Sequence, residues 1–254
     1  MLKTRIIPTL LWKGYGLVKG TGFDSWRPIG AVLPAIKVYN ARHVDELLLL
    51  DIAATKEGRE PDYESIDEFT SECFVPLTYG GGIASLDHIR KALLAGADKV
   101  CLNTAAVEDP ELVRSASDRF GAQCVVVGID ARKRANGKYE CCIRNGTQPT
   151  GKTPAQLARE MEQAGAGEIL LASVERDGTL EGYDVELLRS VSEAVSLPVI
   201  ASGGCSGYEN MYKALIEGGA SAVAAGALFS FTECTPLEAK RHLQRRGVPV
   251  RIPV

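Results

Sequence analysis

The residues best suited to chemistry in this chain are three aspartates, a lysine and two glycine clusters. Asp51 follows the run Leu-Leu-Leu-Leu, and Asp130 follows Val-Val-Val-Gly-Ile. A carboxylate that ends a buried apolar run is expensive unless it is solvated or paired. Either one suits a proton-transfer group or an orienting hydrogen-bond acceptor. A capping carboxylate, or a partner for Lys19, is the plainer alternative. Asp177, in Glu175-Arg-Asp-Gly-Thr179, is a third acidic candidate, and a turn role competes there because Asp-Gly favours tight turns.

The glycines lie in Phe74-Val-Pro-Leu-Thr-Tyr-Gly-Gly-Gly-Ile83, where a short apolar run ends in three glycines and a helix-like segment opens at Ser85. Strand, glycine turn and helix N-terminus together make a place for an anion, because amides point outward and no Cβ blocks their approach. A glycine triplet also serves as a tight strand-to-helix turn. The chain, however, repeats the pattern. Val75-Pro76 through Leu93 is echoed by Leu197-Pro198 through Leu215, so that Gly81-Gly82 falls on Gly203-Gly204. Upstream, Glu46–Asp51 matches Glu168–Ser173, and Val100–Thr104 sits opposite Val223–Ala227 with a one-residue shift. A repeat of this length means two similar halves, and two phosphate-sized sites on one face are the expectation. Asn103 and Thr104, ending a strand beside the first glycine turn, complete one cradle.

Those groups need strands to carry them, and eight short apolar runs read as strands buried on both faces: 5–10, 46–52, 75–79, 99–103, 124–130, 168–173, 199–202 and 222–226. Amphipathic segments with helix caps separate most of them; Asp109-Pro110-Glu111, for example, is an N-cap followed by proline at the first helical position. Strand then helix, eight times, predicts a (βα)8 TIM barrel with an internal half-barrel repeat, in one domain over residues 1–254. Longer connections near 13–28, 53–63 and 132–149 follow the first, second and fifth strands, the side where such barrels carry function.

A further set opens the strands: Arg5, Glu46, Lys99 and Glu168 alternate in sign. At the barrel bottom they can close into a ring of ion pairs, either as a plug or as a gate through which a small neutral molecule passes inward to the Thr78 hydroxyl.

Composition narrows the classes. The 254 residues carry a net charge of −3 and no basic run, which argues against nucleic acid. No apolar stretch approaches the ~20 residues of a membrane span, and the N-terminus lacks a signal-peptide core, so a cytoplasmic location is expected. Seven cysteines without a CxxC pair give neither a disulfide frame nor a zinc site; no metal or cofactor is expected. Cys101 and Cys124 read as buried strand thiols, and Cys205 alone follows a glycine pair that faces a site. His43, His88 and His242 read as helix residues with surface or packing roles.

Taken together, Arg5-Ile-Ile-Pro8, Val18-Lys-Gly20, Tyr79–Ala84, Gly96–Val100, Asn103-Thr-Ala-Ala106, Gly167–Leu171, Arg176–Thr179, Gly182-Tyr-Asp184 and Pro198–Gly204 resemble the cyclase subunit of imidazole glycerol phosphate synthase over essentially the whole chain. The resemblance implies a glutaminase partner docked at the barrel bottom, with Arg5, Glu46, Lys99 and Glu168 as an ammonia gate. It also implies one phosphate site at Gly82, Asn103 and Thr104, and another near Gly178, Gly204, Ala225 and Gly226. One departure matters most. Where those cyclases end their first strand with a catalytic aspartate, this chain has Leu11, while the second catalytic aspartate is kept as Asp130. Leucine neither gives nor takes a proton, and such a loss is worth roughly 10²–10⁴ in rate. The loop after the fifth strand, Cys142-Ile-Arg-Asn-Gly146, also departs from the cyclase pattern.

The runs Arg5–Leu11, Ala53–Pro61 and Ser71–Pro76 look like a paralogous subfamily, the barrel proteins of acetamidino-modification systems of surface polysaccharides. There a glutaminase makes ammonia, the barrel conducts it, and a sugar amidotransferase consumes it. The expected function is therefore ammonia channelling for sugar amidination, with a phosphate-bearing small molecule as a further ligand. The alternatives are a true cyclase lyase of histidine biosynthesis, its second acid/base duty moved to Asp51 or Asp177, and a regulator that only docks on the glutaminase.

Overall fold

The computed structural model describes residues 3–252. Eight parallel strands close on themselves: β1 (Arg5–Trp12), β2 (Leu47–Asp51), β3 (Leu77–Gly80), β4 (Lys99–Leu102), β5 (Val125–Lys133), β6 (Glu168–Ser173), β7 (Val199–Ser202) and β8 (Ala222–Ala225), with β8 pairing back onto β1. Between and after them run α1 (Val32–Ala41), α2 (Tyr63–Ser71), α3 (Leu86–Leu94), α4 (Pro110–Phe120), α5 (Pro154–Gln163), α6 (Val185–Ser192), α7 (Tyr208–Ile216) and α8 (Pro236–Arg245). This is the (βα)8 barrel the apolar runs predict.

Alternation along each strand divides the core in two. Ile6 and Leu10 face the helices, while Ile7 joins Leu48, Cys101, Val126, Leu170, Ile200, Ala222 and Ala224 in a separate cluster inside the barrel. Strand residues alternate faces with period two, so one apolar run feeds both cores. The inward set includes alanine and cysteine as well as larger residues, which leaves room above it.

Two strands run longer than their apolar cores, for one physical reason. Beyond Leu10, β1 continues because Leu11 and Trp12 pair with Val18 and Leu17 of a hairpin formed by Leu17–Thr21 and Asp24–Gly30. Beyond Asp130, β5 continues because residues 130–133 pair with Tyr139–Ile143. Two of the three long connections are thus antiparallel ribbons standing on the barrel mouth. The third, after β2, holds the short helix Ala54–Glu57.

The internal repeat is visible in detail. Both α3 and α7 span nine residues at equivalent positions. Gly81 (φ 112°) and Gly203 (φ 84°) both take the left-handed backbone, and a Cβ added to them would strike the carbonyl oxygens of Asp51 at 2.2 Å and Ser173 at 2.7 Å. Each half therefore needs glycine to lay its turn on the preceding strand end. Small corrections to the sequence reading are local. Cys124 lies in a 3₁₀ turn before β5 rather than in the strand, and His43 sits at φ 52° in the turn after α1 rather than in a helix. No helix among the described residues is long and apolar enough to cross a membrane.

Candidate functional site

At the strand N-termini the four alternating charges meet. Arg5 donates to Glu46 at 2.6 Å and forms a two-point pair with Glu168; Lys99 reaches Glu46 at 3.1 Å and Glu168 at 2.9 Å. Each cation touches both anions, so the ring is closed. Thr78 Oγ1, above it, donates to Glu46 at 2.7 Å. Burial alone would pull the Glu168 carboxyl up, but the Arg5 hydrogen bonds and charge, then Lys99, hold it below its ordinary value.

At the opposite end, the strand C-termini carry two cavities. The larger, of about 360 Å³, reaches from Gly81, Gly82, Asn103 and Thr104 down to Cys101, Gly128 and Leu170, with Asp130 on its wall. It therefore opens onto the cluster inside the barrel. The smaller, of about 50 Å³, is bounded by Thr9, Lys19, Asp177, Gly178, Gly204, Cys205, Ala225 and Gly226. The residues expected for the two phosphate sites thus separate cleanly, one group to each cavity. Leu11, Phe23 and Leu50 line both.

Asp130 stands on the wall of the larger cavity, held by one neighbour. Asn103 Nδ2 bridges it at 3.1 Å to the Gly128 carbonyl at 3.0 Å. Burial, with the charge of Asp177 added, outweighs that hydrogen bond and pushes the Asp130 carboxyl up to about 7, near the value an acid/base group needs. A carboxyl raised in the fold is best tolerated when protonated. Its contribution to stability is therefore full below the ordinary value of 3.8 and is lost as pH rises through about 7. Asp130→Asn is expected to remove that segment of the stability–pH curve, and carboxyl NMR titration of the wild type to show a midpoint near 7. A midpoint near 4 would contradict it.

Asp51 is differently employed. One oxygen accepts the amides of Ala53 at 2.9 Å and Ala54 at 3.1 Å, and the other accepts from Arg59 at 3.3 Å. That carboxylate caps the two amides that open the turn after β2 and pairs with Arg59; Lys19, the alternative partner, is not beside it. Lys19 donates to the Thr9 carbonyl at 2.8 Å; burial lowers its ammonium to about 8 against the opposing charge of Asp177. Asp177 is in turn raised by burial, with Lys19 working against the shift. It also holds a turn, since its carbonyl accepts the Gly22 amide at 2.9 Å.

Several residues of the larger cavity were not foreseen. His88, expected to be a surface or packing residue, lines it, with Nδ1 between the Gly82 carbonyl (3.2 Å) and the Ala84 amide (3.3 Å). Its place one turn into α3, behind the glycines, was the available signal. Arg144 and Asn145 arrive from the turn between Tyr139–Ile143 and Gln148–Pro149, at the end of the β5 ribbon nearest Asp130, where both take left-handed backbone. Asn145 donates to the Ile52 carbonyl at 2.5 Å, the Arg144 amide to Thr104 Oγ1 at 3.1 Å, and the Arg144 guanidinium to Glu108 at 2.7 Å. That turn is thereby tied across the loops after β2 and β4. Phe23, at φ 64°, holds a conformation costing roughly 1–2 kcal/mol in a side-chain-bearing residue, and it lines both cavities.

A closed (βα)8 barrel with its cavities at the strand C-termini has the layout of a barrel enzyme. The model of a family described as histidine biosynthesis protein matches residues 5–235. The chain belongs to that family, and membership suggests a barrel of the kind that works in histidine biosynthesis.

Proposed function

We propose that this chain is the barrel subunit of a glutamine-dependent amidotransferase system, receiving ammonia from a glutaminase at its bottom face and conducting it for acetamidino modification of a surface-polysaccharide sugar. The observation that carries the reading is the contrast between the two ends. The charged ring is complete, whereas apolar Leu11 lines the mouth where the resembling cyclases carry an aspartate. Conduction machinery is kept and one acid/base group of the cyclisation is gone. The interior cluster between ring and larger cavity is apolar, which suits a neutral molecule better than an ion. Phe74 (79% exposed), Leu94 (73%) and Ile216 (59%) stand on the ring side of the barrel, supporting a partner there. A sugar amidotransferase would take up the ammonia at the other end.

The family's description favours a second reading, a cyclase lyase. It would need a substitute for the aspartate lost at position 11. Asp51 has both oxygens engaged, and Asp177 lies in the other cavity from Asp130.

Ammonia-supplied cyclisation of the ribulosyl aminoimidazole carboxamide intermediate separates the two. The wild-type chain is expected to show no turnover, and Leu11→Asp to restore part of the roughly 10²–10⁴ that an acid/base group contributes. Wild-type turnover at ordinary enzyme rates would make this a histidine enzyme.

A further inference from the structure

The four ring charges need a backbone that holds them level, and on one side of β1 the sheet supplies little of it. β1 pairs with β8 from Arg5↔Ala222 upward, but its regular pairing with β2 begins only at Thr9↔Leu48. The level of Arg5 and Glu46 lies below that start. Asp45 fills the gap. Its amide donates to the Ile6 carbonyl at 3.4 Å, and its Oδ2 accepts the Ile6 amide at 2.9 Å. Ile6 and Asp45 are the chain neighbours of Arg5 and Glu46, so this double grip fixes the backbone from which a ring cation and a ring anion meet.

Asp45 is held in turn from outside the barrel. Lys240 of α8, only 1% exposed, donates to Asp45 Oδ1 at 2.6 Å and to the His43 carbonyl at 2.7 Å. A lysine is almost never so buried unless it is paired, and neither the ring nor the cavities use this one. His43 takes a left-handed backbone (φ 52°) that is unfavourable for a residue with a Cβ, and the ammonium helps hold that turn. Beyond α8 the chain returns to β1, where the Thr4 amide donates to the Pro249 carbonyl at 2.7 Å and Thr4 bridges Val250. Both neighbours of Arg5 are therefore gripped, Thr4 by the segment after α8 and Ile6, through Asp45, by α8 itself.

We infer that Lys240 and Asp45 are positioning residues for the charged ring: from behind the barrel wall they set the backbone from which Arg5 spans Glu46 and Glu168. Charge points the same way. Asp45 and Glu46 are consecutive carboxylates facing opposite ways, and Lys240 neutralises the outer one, leaving Arg5 and Lys99 to the inner one. The effect on turnover rests on the reading of the ring as an ammonia gate; the effect on ring geometry does not.

Carboxyl NMR titration of Glu168 reads that geometry, because against burial the hydrogen bonds and charge of Arg5 hold this carboxyl below its ordinary 4.5. Lys240→Met is expected to raise the Glu168 midpoint toward 4.5. It is also expected to lower glutamine-driven amidation at least threefold in the assembled system, with external ammonium used as before. A buried Asp45 left without its cation is costly. Asp45→Asn combined with Lys240→Met therefore repeats the test with no charge stranded and the Ile6 amide still accepted, and the same shift is expected. A merely structural role would lower stability and leave the Glu168 midpoint of the folded protein where it was; that result in the double variant would overturn the positioning role. A shifted midpoint with undiminished glutamine-driven product would leave the positioning role standing and overturn the gate reading instead.

Discussion

Arg5→Leu is expected to cost about 2–3 kcal/mol at pH 7 and to cost less in acid. Arg5 donates to both Glu46 and Glu168; without it the two carboxylates share Lys99 alone. Removing one partner of a fully buried ion pair typically costs ~3–5 kcal/mol. The Arg5 side chain is 24% exposed while that of Glu46 is 3%, so water recovers part of the loss. The pH dependence follows from Glu168, whose carboxyl the fold holds below its ordinary value of 4.5. A depressed carboxyl contributes stability that is present above 4.5 and lost as pH falls through the folded value. In the variant the main cause of depression is gone, so the gap between wild type and variant is widest near neutrality and narrows below 4.5. Denaturant unfolding at pH 7 and pH 4 measures both, and thermal midpoints should differ by about 5–10 °C at neutrality. A difference below about 0.5 kcal/mol, or one indifferent to pH, would mean that the ring does not hold the barrel bottom.

Gly128→Val is expected to cut glutamine-driven amidation at least tenfold while leaving the barrel folded and the use of external ammonium intact. Gly128 lies in β5 on the wall of the larger cavity, beside Leu170 of β6. A Cβ there would meet Cys101 Sγ at 3.4 Å, Asn103 Cβ at 3.6 Å and Asn103 Nδ2 at 3.7 Å, ordinary contacts. Valine suits a strand, so its methyl groups narrow the floor of the larger cavity, where the proposed conduction would emerge, rather than distort the strand. Gly80 is the contrasting position, since a Cβ there would lie 2.7 Å from Leu50 Cδ2 and 3.0 Å from Cys101 Cβ. Glutaminase turnover and amidated product, measured together in the assembled system, report the coupling. Unchanged glutamine-driven product would defeat conduction through the interior and favour a partner that only docks.

The barrel was legible because its strands are buried on both faces and so read as unbroken apolar runs. The charges that open four of those runs were legible for the same reason, since a charge beside such a run must find partners. The mouth was less so. The strand Asp24–Gly30 is mostly exposed and pairs with register shifts, which erases the alternation a hairpin would otherwise show. Phe23 owes its place to a left-handed backbone that no phenylalanine signals. Arg144 and Asn145 enter the site through contacts to Thr104 and Ile52, far away in sequence. Asp51 could be placed at a strand end but not assigned its job, because the amides it caps become visible only when the following turn is folded.

The ring and the apolar Leu11 of the mouth occupy the two ends of one strand. Arg5 opens β1 and Leu11 lies near its close, which at ~3.3 Å per residue puts roughly 20 Å of backbone between them. Substitutions that far apart and without shared partners usually add in their effect on stability. A mouth can therefore be rewritten, aspartate for leucine or one loop for another, with little effect on the charge balance at the base.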